Sequence, residues 1–200
     1  MRTIKPEQQA ARREQILDAA VETFAREGFH KSSMTDIAAS AGMSAGNLYR
    51  YFKSKEEIIR AMAERERRES SMLMAEIAAA PDLVEALAET MAELILDVSF
   101  EKALVDLEIA VESLRNPEMA QPFIAIETEI CGQLADAIRH GQAQGLVSRA
   151  IEPKAGARLL IDLSYGLSAS GIGRTAQERA AAAVEGRRLI RAYLGTGAGR

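Results

Sequence analysis

Residues 33–57 read SMTDIAASAGMSAGNLYRYFKSKEE, and three helix starts fall within them. Ser33 stands three positions before Asp36, the spacing of a capping box, in which hydroxyl and carboxylate satisfy the orphan N–H groups of a helix start. Ile37, Ala38 and Ala41 then supply a short apolar face, and Gly42 ends the helix because glycine reaches left-handed angles without steric cost. Ser44 caps a second helix, expected over Ala45–Phe52, and Ser54-Lys55-Glu56-Glu57 repeats the capping pattern at the head of a third. A helix, a tight turn through a glycine and a second short helix make the helix-turn-helix pattern. In that pattern the second helix enters the DNA major groove while the first crosses the backbone.

The second helix has the surface such a role requires. Leu48 and Phe52, four apart, anchor it to its own unit. Ala45, Gly46 and Asn47 are small or polar and leave its first turn open to close approach. Asn47 can pair bidentately with an adenine edge, and Arg50 can read guanine or hold a phosphate. Ser33, Thr35, Ser44, Tyr49 and Lys55 stand near helix starts, where phosphate oxygens are favourable. Each serine is also a sufficient cap in its own right, so the argument rests on the constellation.

Around this stretch the chain reads as all-α. The first helix is expected from about Arg12 to Glu27, with Ile16, Leu17, Ala20, Val21, Phe24 and Ala25 at three- and four-residue spacing and Gly28 closing it. Residues 1–11 read as a polar arm whose Lys5, with Arg12 and Arg13, can reach phosphate or a minor groove. The helix after Ser54 continues without a breaker to just before Pro81. Further apolar threads mark helices over 82–114, about 118–140, about 153–170 and about 176–194. These divide the chain into an N-terminal three-helix DNA-binding domain, residues 1–54, and a larger helical domain, residues 55–200.

Composition agrees. Two hundred residues with 48% hydrophobic content can bury a core, and no run is long and apolar enough to span a membrane. No leader precedes the first helix and Cys131 is the single cysteine, so a reducing cytoplasm is expected. The net charge of -4 is unevenly spread: residues 1–68 hold 13 Lys and Arg against 10 Asp and Glu, and the remainder 12 against 19. A basic head on an acidic body fits a chain whose head alone meets DNA.

Residues 12–60, above all Met34-Thr35-Asp36-Ile37-Ala38, Gly42-Met43-Ser44 and Leu48-Tyr49-Arg50-Tyr51-Phe52-Lys53-Ser54-Lys55-Glu56, resemble the DNA-binding domain of the TetR family of bacterial transcriptional regulators. The resemblance implies an all-helical homodimer, usually a repressor, whose larger domain binds a small molecule and releases a double-stranded operator. It aligns Thr35, Tyr49 and Lys55 with the family's phosphate-contacting positions, and Ala45, Gly46 and Asn47 with its base-facing ones. It also implies that the last two helices form the dimer seam. Their small residues suit close helix packing, within one chain or between two copies.

A regulator of this kind needs a site for its effector, expected between the helices of residues 82–170. Met91, Phe100, Met119, Phe123 and Tyr165 can line it, and Glu108, Glu112 and Glu127 can meet a cation, which favours a neutral or cationic apolar ligand. Nothing suggests an enzyme, a cofactor or a metal. Phosphate-binding glycine motifs are absent, and the two histidines, His30 and His140, have no evident nucleophile partner. The rival reading is a helical protein-interaction module without duplex affinity.

Overall fold

The computed structural model describes residues 6–97, 99–115, 117–171 and 173–196, and leaves out the side chains at 112–114, 117–119 and 171. Glu112, Met119, Lys5 and the junction at Asn116 therefore lie outside the described residues. Among those described, the regular structure is entirely helical. The order is α1 (Pro6–Glu27), α2 (Met34–Ser40), α3 (Ala45–Leu48), α4 (Lys55–Ala79), α5 (Leu83–Leu96), α6 (Phe100–Arg115), α7 (Pro117–Ala143), α8 (Pro153–Gly171) and α9 (Ala176–Leu194). The chain divides into two compact units, residues 1–66 with 104–123, and residues 67–103 with 124–200.

In the first unit, α1 begins earlier than the sequence led us to expect. Residues 6–11 are helical, not a loose arm: Pro6 occupies the first helical position, where its fixed φ is pre-set and its missing N–H costs nothing. The inward face of α1 buries Ile16, Ala20 and Phe24 against Ile37, Leu48, Phe52 and Ile58, all of them shielded from solvent. Each such side chain contributes about 1.5–3 kcal/mol by leaving water. Phe29, just past the left-handed Gly28, lays its ring 4.6 Å from that of Phe24 at a tilt of 55°. Val105 completes this core from α6, with Ile109 and Phe123 packed against it.

In the second unit, α5 is the central element. Its Ala88, Ala92 and Ile95 are fully covered, and α8 and α9 both pack on it. Gly186 of α9 allows the closest approach: a Cβ there would stand 3.0 Å from Ile95 Cδ1 and 3.8 Å from Met91 Cγ. Gly186 thus serves the contact of α9 with α5 inside the chain. Leu134 and Ile138 of α7, with Val147 after it, close the same core.

Candidate nucleic-acid interface

The helix-turn-helix is built by local hydrogen bonds that can be traced residue by residue. Ser33 Oγ accepts the Asp36 N–H at 3.3 Å, and Asp36 Oδ2 accepts the Ser33 N–H at 2.9 Å, so the capping box at the head of α2 is complete. The Ser33 hydroxyl and N–H hold the Asp36 carboxyl below its ordinary pKa. At the other end Met43 N–H donates to Ala38 O at 2.9 Å and Gly42 N–H to Ala39 O at 3.1 Å, with Gly42 at φ 65°. This is a Schellman turn, and it needs the glycine. Ser44 Oγ then accepts the Asn47 N–H at 3.3 Å and starts α3.

The second helix is shorter than the expected Ala45–Phe52. It keeps regular geometry only over Ala45–Leu48, after which Arg50 N–H reaches Asn47 O and Tyr51 N–H reaches Leu48 O in tighter three-residue bonds. A group from α1 holds the chain just beyond it. Arg13 Nη1 donates to Tyr51 O at 2.8 Å, and its guanidinium lies 4.1 Å above the ring of buried Phe52. Expected as a free cation of the arm, Arg13 instead holds the end of this turn by a hydrogen bond and a cation–π contact. Lys53 Nζ donates to Tyr49 O at 2.8 Å, and Gln15 Nε2 to Ala41 O at 3.1 Å. Neither Gln15 nor Lys53 carried a sequence signal for this, since a side chain reaching a distant carbonyl leaves no local pattern.

At the third helix start the capping is shifted. Ser54 Oγ accepts the Glu57 N–H, but the Glu57 carboxylate takes the N–H of Lys53, not that of Ser54. Lys55 Nζ donates to both Phe29 O and Ser32 O, the latter at 3.0 Å. Glu108 Oε2 accepts the Phe29 N–H at 3.0 Å. One residue of the α1–α2 turn, Phe29, is therefore held at both its C=O and its N–H, by an ammonium from α4 and a carboxylate from α6.

The expected contact residues fall on the surface around α2 and α3. Ser33, Thr35, Ser44, Gly46, Tyr49 and Arg50 are exposed, Ala45 and Asn47 half-buried, and Leu48 fully buried as the anchor of the helix. No hydrogen bond or ion pair engages the Arg50 side chain among the described residues. A Cβ added at Gly46 would meet nothing within 4 Å. Lys55 is half-buried and already committed to the turn through two of its donors.

The expected effector residues are divided between the units. Glu108 and Phe123 belong to the first, where Glu108 holds the Phe29 turn and Phe123 packs on the head core. Met91, Phe100, Glu127 and Tyr165 belong to the second. There Met91 is buried in the α5 core, while Phe100 and Tyr165 are 51% and 46% exposed. The Glu127 carboxylate pairs with Arg158, whose pKa is raised by that bond.

A three-helix core that presents a capped helix, a Schellman turn and a short second helix with an open first turn defines a helix-turn-helix DNA-binding unit. Comparison with known proteins extends this. Residues 16–62 match a family model described as bacterial regulatory proteins, tetR family. Over 157 residues, 78% of this chain and 80% of the relative, the sequence is 34% identical to the HTH-type transcriptional regulator UidR of Escherichia coli strain K12. The solved structure of Salmonella enterica GusR aligns at TM-score 0.78 with 28% identity, covering 96% of this chain and 97% of that one. A further structure, AibR in complex with isovaleryl coenzyme A and operator DNA, aligns at TM-score 0.67 over 91% of this chain and 97% of that one. Its 21% identity supports the fold alone. The chain belongs to the TetR family of bacterial transcriptional regulators.

Among the described residues no helix is long and apolar enough to cross a membrane.

Proposed function

We propose that the chain is a homodimeric repressor that binds a palindromic operator through residues 1–54 and releases it when residues 55–200 take up a small-molecule effector. The observation that carries the DNA reading is the asymmetry of α3 and the turn that follows it. Leu48 is fully buried while Gly46, Tyr49 and Arg50 face outward, and Gly46 has no neighbour that the fold requires it to avoid. A bare backbone on the outer face of a recognition helix suits approach to base edges. Ala45 and Asn47 share that turn and read bases; Ser33, Thr35, Ser44, Tyr49 and Arg50 hold phosphates. An ammonium has three donors, so Lys55 keeps one for phosphate while two hold the turn.

Two copies would present their heads to successive major grooves, about 34–36 Å apart. The dimer reading is supported by apolar side chains left outside the chain's own core on the last two helices: Leu159 and Tyr165 of α8, Val184 and Leu189 of α9. Effector binding acts by population shift, favouring a dimer whose heads no longer match that spacing.

Selection from random duplexes tests this reading. Enrichment of an inverted repeat is expected, and replacing Asn47 with Ala should change the preferred bases at about 1–3 kcal/mol per contact. Tyr49→Phe should weaken all duplexes alike. No enrichment at low salt from a folded dimer would replace this reading with a helical interaction module.

A further inference from the structure

In the first unit, α1 reaches both ends of the recognition segment. Gln15 Nε2 donates at 3.1 Å to the carbonyl of Ala41, the C-cap of α2. Arg13 Nη1 donates at 2.8 Å to the carbonyl of Tyr51, where the tight bonds that follow α3 run out. Two side chains of one helix therefore hold the carbonyls on either side of residues 42–50. Carbonyls at helix ends have no partner within the helix, so they are open to a donor from outside it.

Each donor is itself oriented. Arg12 Nη1 donates to Gln15 Oε1 at 2.5 Å, which turns the amide so that its Nε2 faces Ala41. The Arg13 guanidinium lies 4.1 Å above the ring of Phe52, which is fully buried in the head core. Ser40, next to Ala41, donates its hydroxyl to Glu22 Oε2 of α1 at 2.9 Å, so the end of α2 is held twice.

What these bonds add is direction. A helix of four residues does not fix its own place. Burial of Leu48 and Phe52 sets its depth, but the hydrophobic effect is non-directional and leaves the segment free to tilt about that anchor. A hydrogen bond weakens steeply off its axis, so one at each end sets the angle. Side chains that recognise a partner must be held to within about 0.5 Å and 10–20°.

We propose that Arg13 and Gln15 are positioning residues for operator reading. Neither touches DNA; together they set the angle at which Ala45, Gly46 and Asn47 meet base edges. The inference rests on the DNA reading above and goes beyond it, since it gives α1 a share in sequence discrimination.

The test starts from the parent protein and selection from random duplexes. The preferred duplex and a scrambled one of equal length are then titrated, over a range of salt, with Arg13→Met, Arg13→Lys and Gln15→Ala, each shown to be folded by its unfolding curve. Arg13→Met is expected to lose at least about tenfold in affinity for the preferred duplex, the size of one hydrogen bond from a charged donor, and no more than about twofold for the scrambled one. Gln15→Ala, which changes no charge, should lose about threefold to tenfold on the preferred duplex alone. Arg13→Lys keeps the charge without the planar fork and should fall between the parent and Arg13→Met. Should Arg13→Met not fold, Arg13→Lys and Gln15→Ala, the latter at an exposed position, decide the matter. An equal loss on both duplexes, with the salt slope reduced by about one, would make Arg13 a phosphate ligand and overturn the proposal. An unchanged ratio of preferred to scrambled affinity in folded Arg13→Lys and Gln15→Ala would show that the bonds only support the fold, and would overturn it too. A parent that selects no duplex would bring down the DNA reading itself, and this inference with it.

Discussion

At the scale of single residues, two glycines separate what the fold needs from what the surface offers. At Gly141 a Cβ would lie 2.6 Å from Val147 Cγ2 and 3.0 Å from Leu83 Cδ2, so Gly141→Ala forces two packed side chains to move. We expect a loss of about 1–3 kcal/mol in urea unfolding. At Gly46 the space is open, so Gly46→Ala should raise stability by about 0.5–1 kcal/mol, the usual gain on replacing a helical glycine. On the proposed reading the same variant lowers duplex affinity, and an unchanged affinity would remove Gly46 from the contact surface. Lys55 makes a different case. Its motif position marks it for phosphate, yet its ammonium also holds two carbonyls of the α1–α2 turn. Lys55→Met should therefore cost about 1–2 kcal/mol of stability with no DNA present. No measurable change in the unfolding midpoint would mean that these bonds contribute nothing.

At the scale of elements, α5 and α9 are joined along their exposed edge by a ladder of ion pairs. Arg191 forks onto Glu85 at 2.6 and 2.9 Å, and Arg187 onto Glu89 at 2.7 to 2.9 Å. The Arg191 bond lowers the Glu85 pKa and the Arg187 bond that of Glu89. Carboxyls held low in the folded chain stabilise it above the ordinary glutamate value, about 4.3, and that contribution fades as pH falls through the lowered folded values. The Glu85→Gln, Glu89→Gln double variant should accordingly lose less stability on acidification than the parent, most visibly at low salt. Parallel acid-unfolding curves would show that the ladder is inert.

The ladder was not legible in the sequence, because its members are about a hundred residues apart. Helix positions were legible: continuous apolar threads and local caps placed α4 to α9 within a few residues. Errors came where a distant group decided a local matter. Arg13 of α1 captures the Tyr51 carbonyl, and Val105 enters a core whose other members mostly precede residue 63. For the interface, the capped turn could be read directly, whereas the second use of Lys55 could not.

At the scale of the whole molecule, assembly is the open quantity with the sharpest test. Leu159, Tyr165, Val184 and Leu189 are 46–51% exposed on the last two helices, a large apolar area for one protomer to leave in water. On the proposed reading, Leu189→Glu should shift sedimentation from dimer to monomer and reduce operator affinity with it, since a palindrome would reward two linked heads. A dimer that persists in Leu189→Glu would place the seam elsewhere.

The double hold on the backbone of Phe29 bears on how freely regulators of this architecture can be recombined. Cutting after residue 66 and joining the head to a foreign body would leave behind Val105, which fills the head's core, and Glu108, which takes the Phe29 N–H. The transplanted piece would carry a cavity and a backbone donor in need of a new acceptor. In this chain the reading head is not a portable cassette; a chimera that keeps its operator preference must bring residues 104–123 along.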